Sequence, residues 1–249
     1  MVWANAPTEE KQMKKLSVLL AGLLSAGLAH ADLFTYQFTA SFLSLTESNP
    51  AMGDTDVSTT VMNGYPISLG DVLHGSFTLD TSTPVIYSSP SGSGTFNIYD
   101  AAAGQNAFTA TFGNNPYTLS AANATYGFST QNQLPGHGQD GVYLGVNRDL
   151  NTGGLESLGL TFADPSATAL AYNHIPDSLT PFTQGTFRYY YSTGMAPHAL
   201  WLTATGAITS VTLVSSVPEP ATYTMMAAGL GLLAWRRQRQ IGVIASSSA

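Results

Sequence analysis

Between Asp32 and Val217 the chain repeats one pattern: short runs that alternate apolar and polar residues, broken by clusters of Asn, Gly, Pro and Asp. Phe34, Tyr36, Phe38, Ala40 and Phe42 alternate with Thr35, Gln37, Thr39 and Ser41. A period of two is the spacing of a strand with one buried face. Further short runs follow at Leu73–Leu79, Thr95–Tyr99, Phe108–Phe112, Tyr117–Ala121, Thr125–Ser129, Val142–Val146, Leu158–Phe162, Thr186–Tyr191, Ala199–Leu202 and Ala207–Val214. Gly113-Asn114-Asn115-Pro116 and Asn151-Thr152-Gly153-Gly154 read as turns between them. No long segment of this body carries a helical period. The pattern predicts an all-β domain, an antiparallel β-sandwich or jelly roll built from two sheets.

Charge divides the 249-residue chain into parts. From Asp32 to Val217 there are two arginines, Arg148 and Arg188, no lysine and twelve acids, a balance of −10. A surface so poor in cations does not neutralise phosphates, which excludes nucleic acid as a partner. The absence of cysteine excludes disulfides, a thiol nucleophile, thiolate metal sites and iron–sulfur clusters.

The other six basic residues lie outside this body, and most of them flank apolar runs. Met13-Lys14-Lys15 precedes Leu16–Leu28, an apolar run of 13 residues, and Ala29-His30-Ala31 follows it. Basic, apolar, then A-x-A is the order of a secretory signal peptide, with cleavage expected after Ala31. Residues 1–31 are therefore assigned to a signal helix, with Met13 as an alternative start, and the Sec translocon is the expected partner. At the other end, Val217-Pro218-Glu219-Pro220 interrupts regular structure, because proline lacks an amide donor and fixes its own φ. Ala221–Trp235 is an uncharged run of 15 residues, and Arg236, Arg237 and Arg239 close it. As a helix this run is about 22 Å long, against a hydrocarbon core of about 30 Å. It reads as a short transmembrane-type helix held by cytoplasmic arginines.

Pro-Glu-Pro, a short apolar helix and an arginine cluster, at the end of a chain with a signal peptide, together resemble the PEP-CTERM sorting signal. The resemblance covers Val217 to Arg239. It implies that the protein is a substrate of exosortase, a membrane-embedded enzyme of Gram-negative bacteria, and that it is cleaved near the motif. Val217, Pro218, Glu219 and Pro220 would form the sorting motif, with Glu219 supplying a charge for recognition. Arg236, Arg237 and Arg239 would form the membrane stop. Residues 240–249 continue beyond the arginines as a tail, where such signals usually end. Gly75–Pro84, Leu158–Asp164, Ile175–Leu179 and Gly206–Val211 look like segments frequent in PEP-CTERM proteins of unknown activity. The expected organisation is residues 1–31 as signal peptide, 32–216 as the secreted β domain, 217–239 as the sorting signal and 240–249 as the tail.

No catalytic or metal-ligating constellation stands out in the body, and none is assigned. Asp54-Thr55-Asp56-Val57-Ser58 and Asn147-Arg148-Asp149-Leu150-Asn151 place oxygen ligands at alternate positions, as calcium loops do. Neither completes an EF-hand: position six is Thr59 or Thr152, and position twelve is Tyr65 or Leu158. Polar turns are the simpler reading, and calcium is the only cofactor kept open. His74, His137, His174 and His198 are scattered, without an H-x-x-x-H pair. His137, three residues from Asp140 in a glycine-rich loop, is where an acid–base pair would be sought. Ser93 lacks the flanking glycines of a nucleophile elbow. In Phe187-Arg188-Tyr189-Tyr190-Tyr191 alternation puts Phe187, Tyr189 and Tyr191 on a core face and Arg188 with Tyr190 on the other. There Tyr190, with Trp201 nearby in sequence, lines a sugar platform or packs across strands.

The sequence leads to an exported, non-enzymatic protein that passes through the inner membrane to the cell surface or extracellular matrix. The family resemblance adds a link to exopolysaccharide and biofilm. A carbohydrate- or ice-binding module is the second reading. A secreted hydrolase is the third, because twelve acids leave room for a catalytic pair that spacing does not select.

Overall fold

In the computed structural model the alternation of Phe34–Phe42 becomes strand β1 (Asp32–Asn49). The structure describes residues 32–62, 65–113, 118–150, 153–170, 174–194 and 200–218, together with Gly229 and Gly231. Thirteen further strands follow: β2 (Gly53–Asp56), β3 (Thr59–Met62), β4 (Tyr65–Ser68), β5 (Val72–Asp80), β6 (Val85–Ser91), β7 (Gly94–Tyr99), β8 (Ala107–Phe112), β9 (Thr118–Ser120), β10 (Thr125–Asn132), β11 (Asp140–Asp149), β12 (Leu155–Asp164), β13 (Gln184–Ser192) and β14 (Trp201–Pro218). Asp32–Val217 forms a structural unit of its own. The signal segment, residues 1–31, lies outside the described residues.

Twelve strands make one sheet in the order β6-β7-β10-β11-β12-β13-β14-β1-β5-β8-β9, with β2 beside the far end of β1; β3 and β4 form a separate hairpin. The ladders are antiparallel, from β6–β7 and β7–β10 through β12–β13 to β5–β8. The expectation of two sheets is corrected here. The halves are joined through β14 and β1, where Ser44 Oγ lies 2.6 Å from Thr205 Oγ1 and Thr209 Oγ1 donates to the Thr39 carbonyl at 3.1 Å. Numbers fall along β1 as they rise along β14, so this pair is antiparallel too.

The sheet curls over its own inner face. Strands far apart in the order meet through their rings: Phe77 of β5 with Phe162 of β12 at 5.6 Å, Phe108 of β8 with Tyr126 of β10 at 5.9 Å, and Phe112 of β8 with Tyr189 of β13 at 5.0 Å. Phe42 of β1 meets Phe187 of β13 edge-on at 5.0 Å. Each buried aromatic contributes roughly 1.5–3 kcal/mol by leaving water, and a well-placed ring pair adds about 1 kcal/mol. The core is thus an aromatic seam inside a rolled sheet.

Two departures from the sequence reading have local causes. The runs ending at Leu202 and starting at Ala207 are one strand, because Gly206 is not a turn. A Cβ there would lie 2.0 Å from the Ser41 carbonyl oxygen and 2.3 Å from the Phe187 ring, so glycine lets β14 press against β1. The Asp54–Ser58 loop contains strand β2, whose Asp56 pairs with Thr46 and whose Asp54 pairs with Ser48.

Candidate functional site

Alternation fixes what the outer face of β10–β14 carries. Val142, Leu144, Val146, Leu158, Leu160, Phe187 and Tyr189 are buried inward. Their neighbours must point outward. Cross-strand pairing aligns these in rows. One row is Gly127, Gly145, Gly159, Arg188 and Thr205. On one side of it run Thr125, Asn147, Ser157, Tyr190 and Thr203, and on the other Ser129, Tyr143, Thr161, Thr186 and Ala207. The glycines leave a shallow groove of about 290 Å³, lined by Asn147, Ser157, Arg188 and Tyr190 over Gly145 and Gly159.

Neither packing nor backbone strain demands those glycines. A Cβ on Gly127 would meet nothing within 4 Å, and on Gly145 its nearest neighbour would be 3.6 Å away. None of the three has a positive φ. Arg188 is exposed and makes no ion pair among the described residues. The groove therefore offers one free guanidinium, one half-buried aromatic ring, an amide and several hydroxyls. Tyr190 and Arg188 share this outer face as alternation requires, while Phe187 and Tyr189 are in the core. Trp201 is half-buried beside Ser192 and does not line the groove.

The body's second arginine is committed elsewhere. Arg148 Nη2 donates to Glu156 Oε2, and Tyr189 Oη donates to Glu156 Oε1 at 2.7 Å. Glu156 is fully buried. Burial raises its pKa above the ordinary glutamate value, against the opposing pull of Tyr189 and Arg148. Burial and the adjacent Glu156 charge push the Tyr189 phenol upward too. The cluster clips β11, β12 and β13 together, with Glu156 buried and Arg148 partly exposed.

The other buried carboxylates hold loops. Asp140 accepts the backbone amides of Gln133 and Leu170, each at 2.8 Å. His137 is exposed in the preceding loop, so the Asp140 oxygens face away from an acid–base role with it. Asp80 and Asp164 repeat one device after β5 and β12. Each accepts the amide and the hydroxyl of the serine two residues on: Ser82 at 2.9 and 2.6 Å, and Ser166 at 3.0 and 2.6 Å. Asp164 also accepts the amides of Thr168 and Ala169. The Ser166 hydroxyl and these amides hold its carboxyl down at about 2. Burial raises the Asp80 pKa, but the bonds from Gln105 and Ser82 outweigh it and leave it lowered. These roles were missed in the sequence. The signal for two of them was present as Asp-x-Ser at a strand end.

Of the residues in the two calcium-loop sequences, Asn151 lies outside the described residues. Asp56 accepts the Thr46 hydroxyl at 2.9 Å, Asn147 faces the groove, and Arg148 is paired with Glu156. Among the described residues no three His, Asp or Glu side chains gather in a metal-binding group. His74 lies 3.4 Å from the Thr39 hydroxyl, and His198 lies outside the described residues.

At the carboxyl end β14 runs through Val217 into Pro218. Glu219, Pro220, Arg236, Arg237 and Arg239 lie outside the described residues, as do the cleavage-site alanines Ala29 and Ala31. Gly229 and Gly231, inside the apolar run, are helical. No curated protein and no solved structure matches the chain. A protein-family model matches residues 216–239. That model describes the PEP-CTERM protein-sorting motif, and the chain accordingly carries this motif, which begins within the last three residues of β14.

Proposed function

We propose that this is an exported protein whose sorting motif delivers the β domain, Asp32–Val217, to the surface or extracellular matrix of a Gram-negative bacterium. There it acts without catalysing a reaction, in association with exopolysaccharide. The Sec translocon carries it across the inner membrane, and exosortase removes the tail. The observation that carries this reading is the match of residues 216–239 to the PEP-CTERM sorting motif. Fractionation of cells making the wild type or a Glu219→Ala variant, with mass spectrometry of the mature C-terminus, tests it. The wild type should lose its tail and leave the inner membrane, while the variant keeps the tail and stays. Identical processing of the two would remove Glu219 from the recognition site, and an unprocessed wild type would remove the reading itself.

A carbohydrate-binding role is the second reading, favoured by the groove at Arg188 and Tyr190. An extended polysaccharide presents hydroxyls for Asn147, Ser157 and Arg188 and a flat face for the Tyr190 ring. Co-sedimentation with the host exopolysaccharide checks it. Truncating both anchors, as Arg188→Ala with Tyr190→Ala, should weaken binding about tenfold or more. Undiminished binding would discard the groove as the site.

A further inference from the structure

β14 continues well beyond its neighbour. Its pairing with β13 ends at Thr186 opposite Ala207, and β13 begins at Gln184. Ile208 still lies against Gly185 of β13, where a Cβ would come within 2.9 Å of the Ile208 Cβ, and the register sets Thr209 opposite Gln184; Ser210–Val217 therefore has β1 on one side and an open edge on the other. Among the described residues, no backbone bond joins this stretch to the loop before β13. Eight residues of strand span about 26 Å. Thr212, Ser215 and Ser216 are exposed, as are Leu213 and Val214 at 51% and 54%.

Open edges are usually guarded by charge, proline, a bulge or short length, because an unpaired row of amides and carbonyls recruits another strand. The sheet guards its outer edges in these ways. β6 carries Pro90 and a register shift between Val85 and Tyr87, and β9 has only three residues. Ser210–Val217 (SVTLVSSV) has no charge and no proline, and is rich in β-branched residues. The edge stops at Pro218, whose missing amide ends any ladder. Pro218 is also within the matched sorting motif, residues 216–239.

We infer that the open edge of β14, Ser210–Val217, is a strand-addition site for an extended segment of the processing enzyme, which docks there next to the sorting motif in sequence. The inference rests on the proposed processing by exosortase. Its occupant follows from continuity: the unguarded edge and the sorting motif form one uninterrupted length of chain. Main-chain bonds to the edge supply affinity without a side-chain code, as in other strand additions. Pro218, without an amide, sets the limit of the bound strand.

The test uses the full chain in cells that process it. Leu213→Lys with Val214→Lys puts a charge on both faces of the edge, whereas Leu213→Thr with Val214→Thr keeps it uncharged and β-forming. Loss of a few ladder bonds should slow tail removal about tenfold in the lysine variant. The threonine variant should match wild type, and thermal melts of both full chains should stay at the wild-type midpoint. A photo-crosslinker at position 213 should capture the processing enzyme. Wild-type processing of the lysine variant, equal slowing of both variants, or crosslinking to a second copy of this chain would overturn the inference. These outcomes leave the Glu219→Ala result untouched, so failure of the edge is distinguishable from failure of the processing reading.

Discussion

Glu156 and Asp164 sit one strand length apart on β12, and their environments drive their carboxyls in opposite directions. Asp164 is an acceptor surrounded by amides and hydroxyls, so its folded pKa falls to about 2. A depressed carboxyl stabilises the fold above its unfolded value, and that stability is lost as pH falls through the folded value. Glu156 is raised by burial. The folded state then holds its proton to higher pH than the unfolded state does. Stability from this residue is full below the ordinary glutamate range and declines as pH rises through the raised value. The two terms predict a maximum near the ordinary carboxylate range, with a limb on each side. Urea midpoints measured from about pH 2 to 7 check this. Asp164→Asn should flatten the acid limb, and Glu156→Gln should flatten the decline toward neutrality. A wild-type curve that rises steadily to neutrality would contradict the assignment for Glu156. None of this is visible in the sequence, where Glu156 is one acid between Leu155 and Ser157. Its burial follows from facing Tyr189, which the core alternation of β13 alone implies.

Strands with strong alternation were legible, and those without it were not. Phe34–Phe42, Leu73–Leu79, Val142–Val146 and Leu158–Phe162 each lie within an observed strand, because one face of each is core. β2 and β6 bury little on either face, so their sequences carry no period. The groove was half legible: alternation put Arg188 with Tyr190. The glycine row needs the register of three strands, which a single sequence does not contain. Glycines on this sheet serve two different ends, and substitution separates them. Gly206→Ala forces a Cβ to within 2.0 Å of the Ser41 carbonyl oxygen, and backbone cannot yield there cheaply. A cost of about 3 kcal/mol is expected for such overpacking, which for a domain of this size lowers Tm by roughly 6–12 °C. Gly145→Ala meets only ordinary contact and adds strand propensity. Its Tm should match or exceed wild type. Thermal melts of the two variants decide the matter, and equal losses in both would refute the distinction between packing and groove glycines.

At the level of the whole domain the strand order puts the first and last strands side by side in the middle of the sheet. Charge partition in the sequence separated the body from its two ends, yet it could not show that these ends belong to one antiparallel pair. The contacts of Thr39 with Thr209 and Ser44 with Thr205 run in opposite senses along β1 and β14. The amino end of β1 therefore lies at the carboxyl end of β14, and the domain is entered and left at the same place. It follows that the sheet lacks a central strand until Trp201–Val217 has been delivered, so folding waits for the last part of the body. It also follows that the two ends can be joined. A short Gly/Ser linker from Val217 to Asp32, with new termini between Gly136 and His137 in the exposed β10–β11 loop, preserves every ladder. The permuted domain is expected to melt cooperatively within a few degrees of the unpermuted one, monitored by circular dichroism. In it β14 and β1 are neighbours in sequence as well as in space, and the terminal strands are β11 and β10 instead. A permutant that fails to fold while the same linker inserted within the β10–β11 loop of the unpermuted chain is tolerated would show that β1 and β14 do not pair in this way. The rolled sheet would then have to be rebuilt as two separate layers.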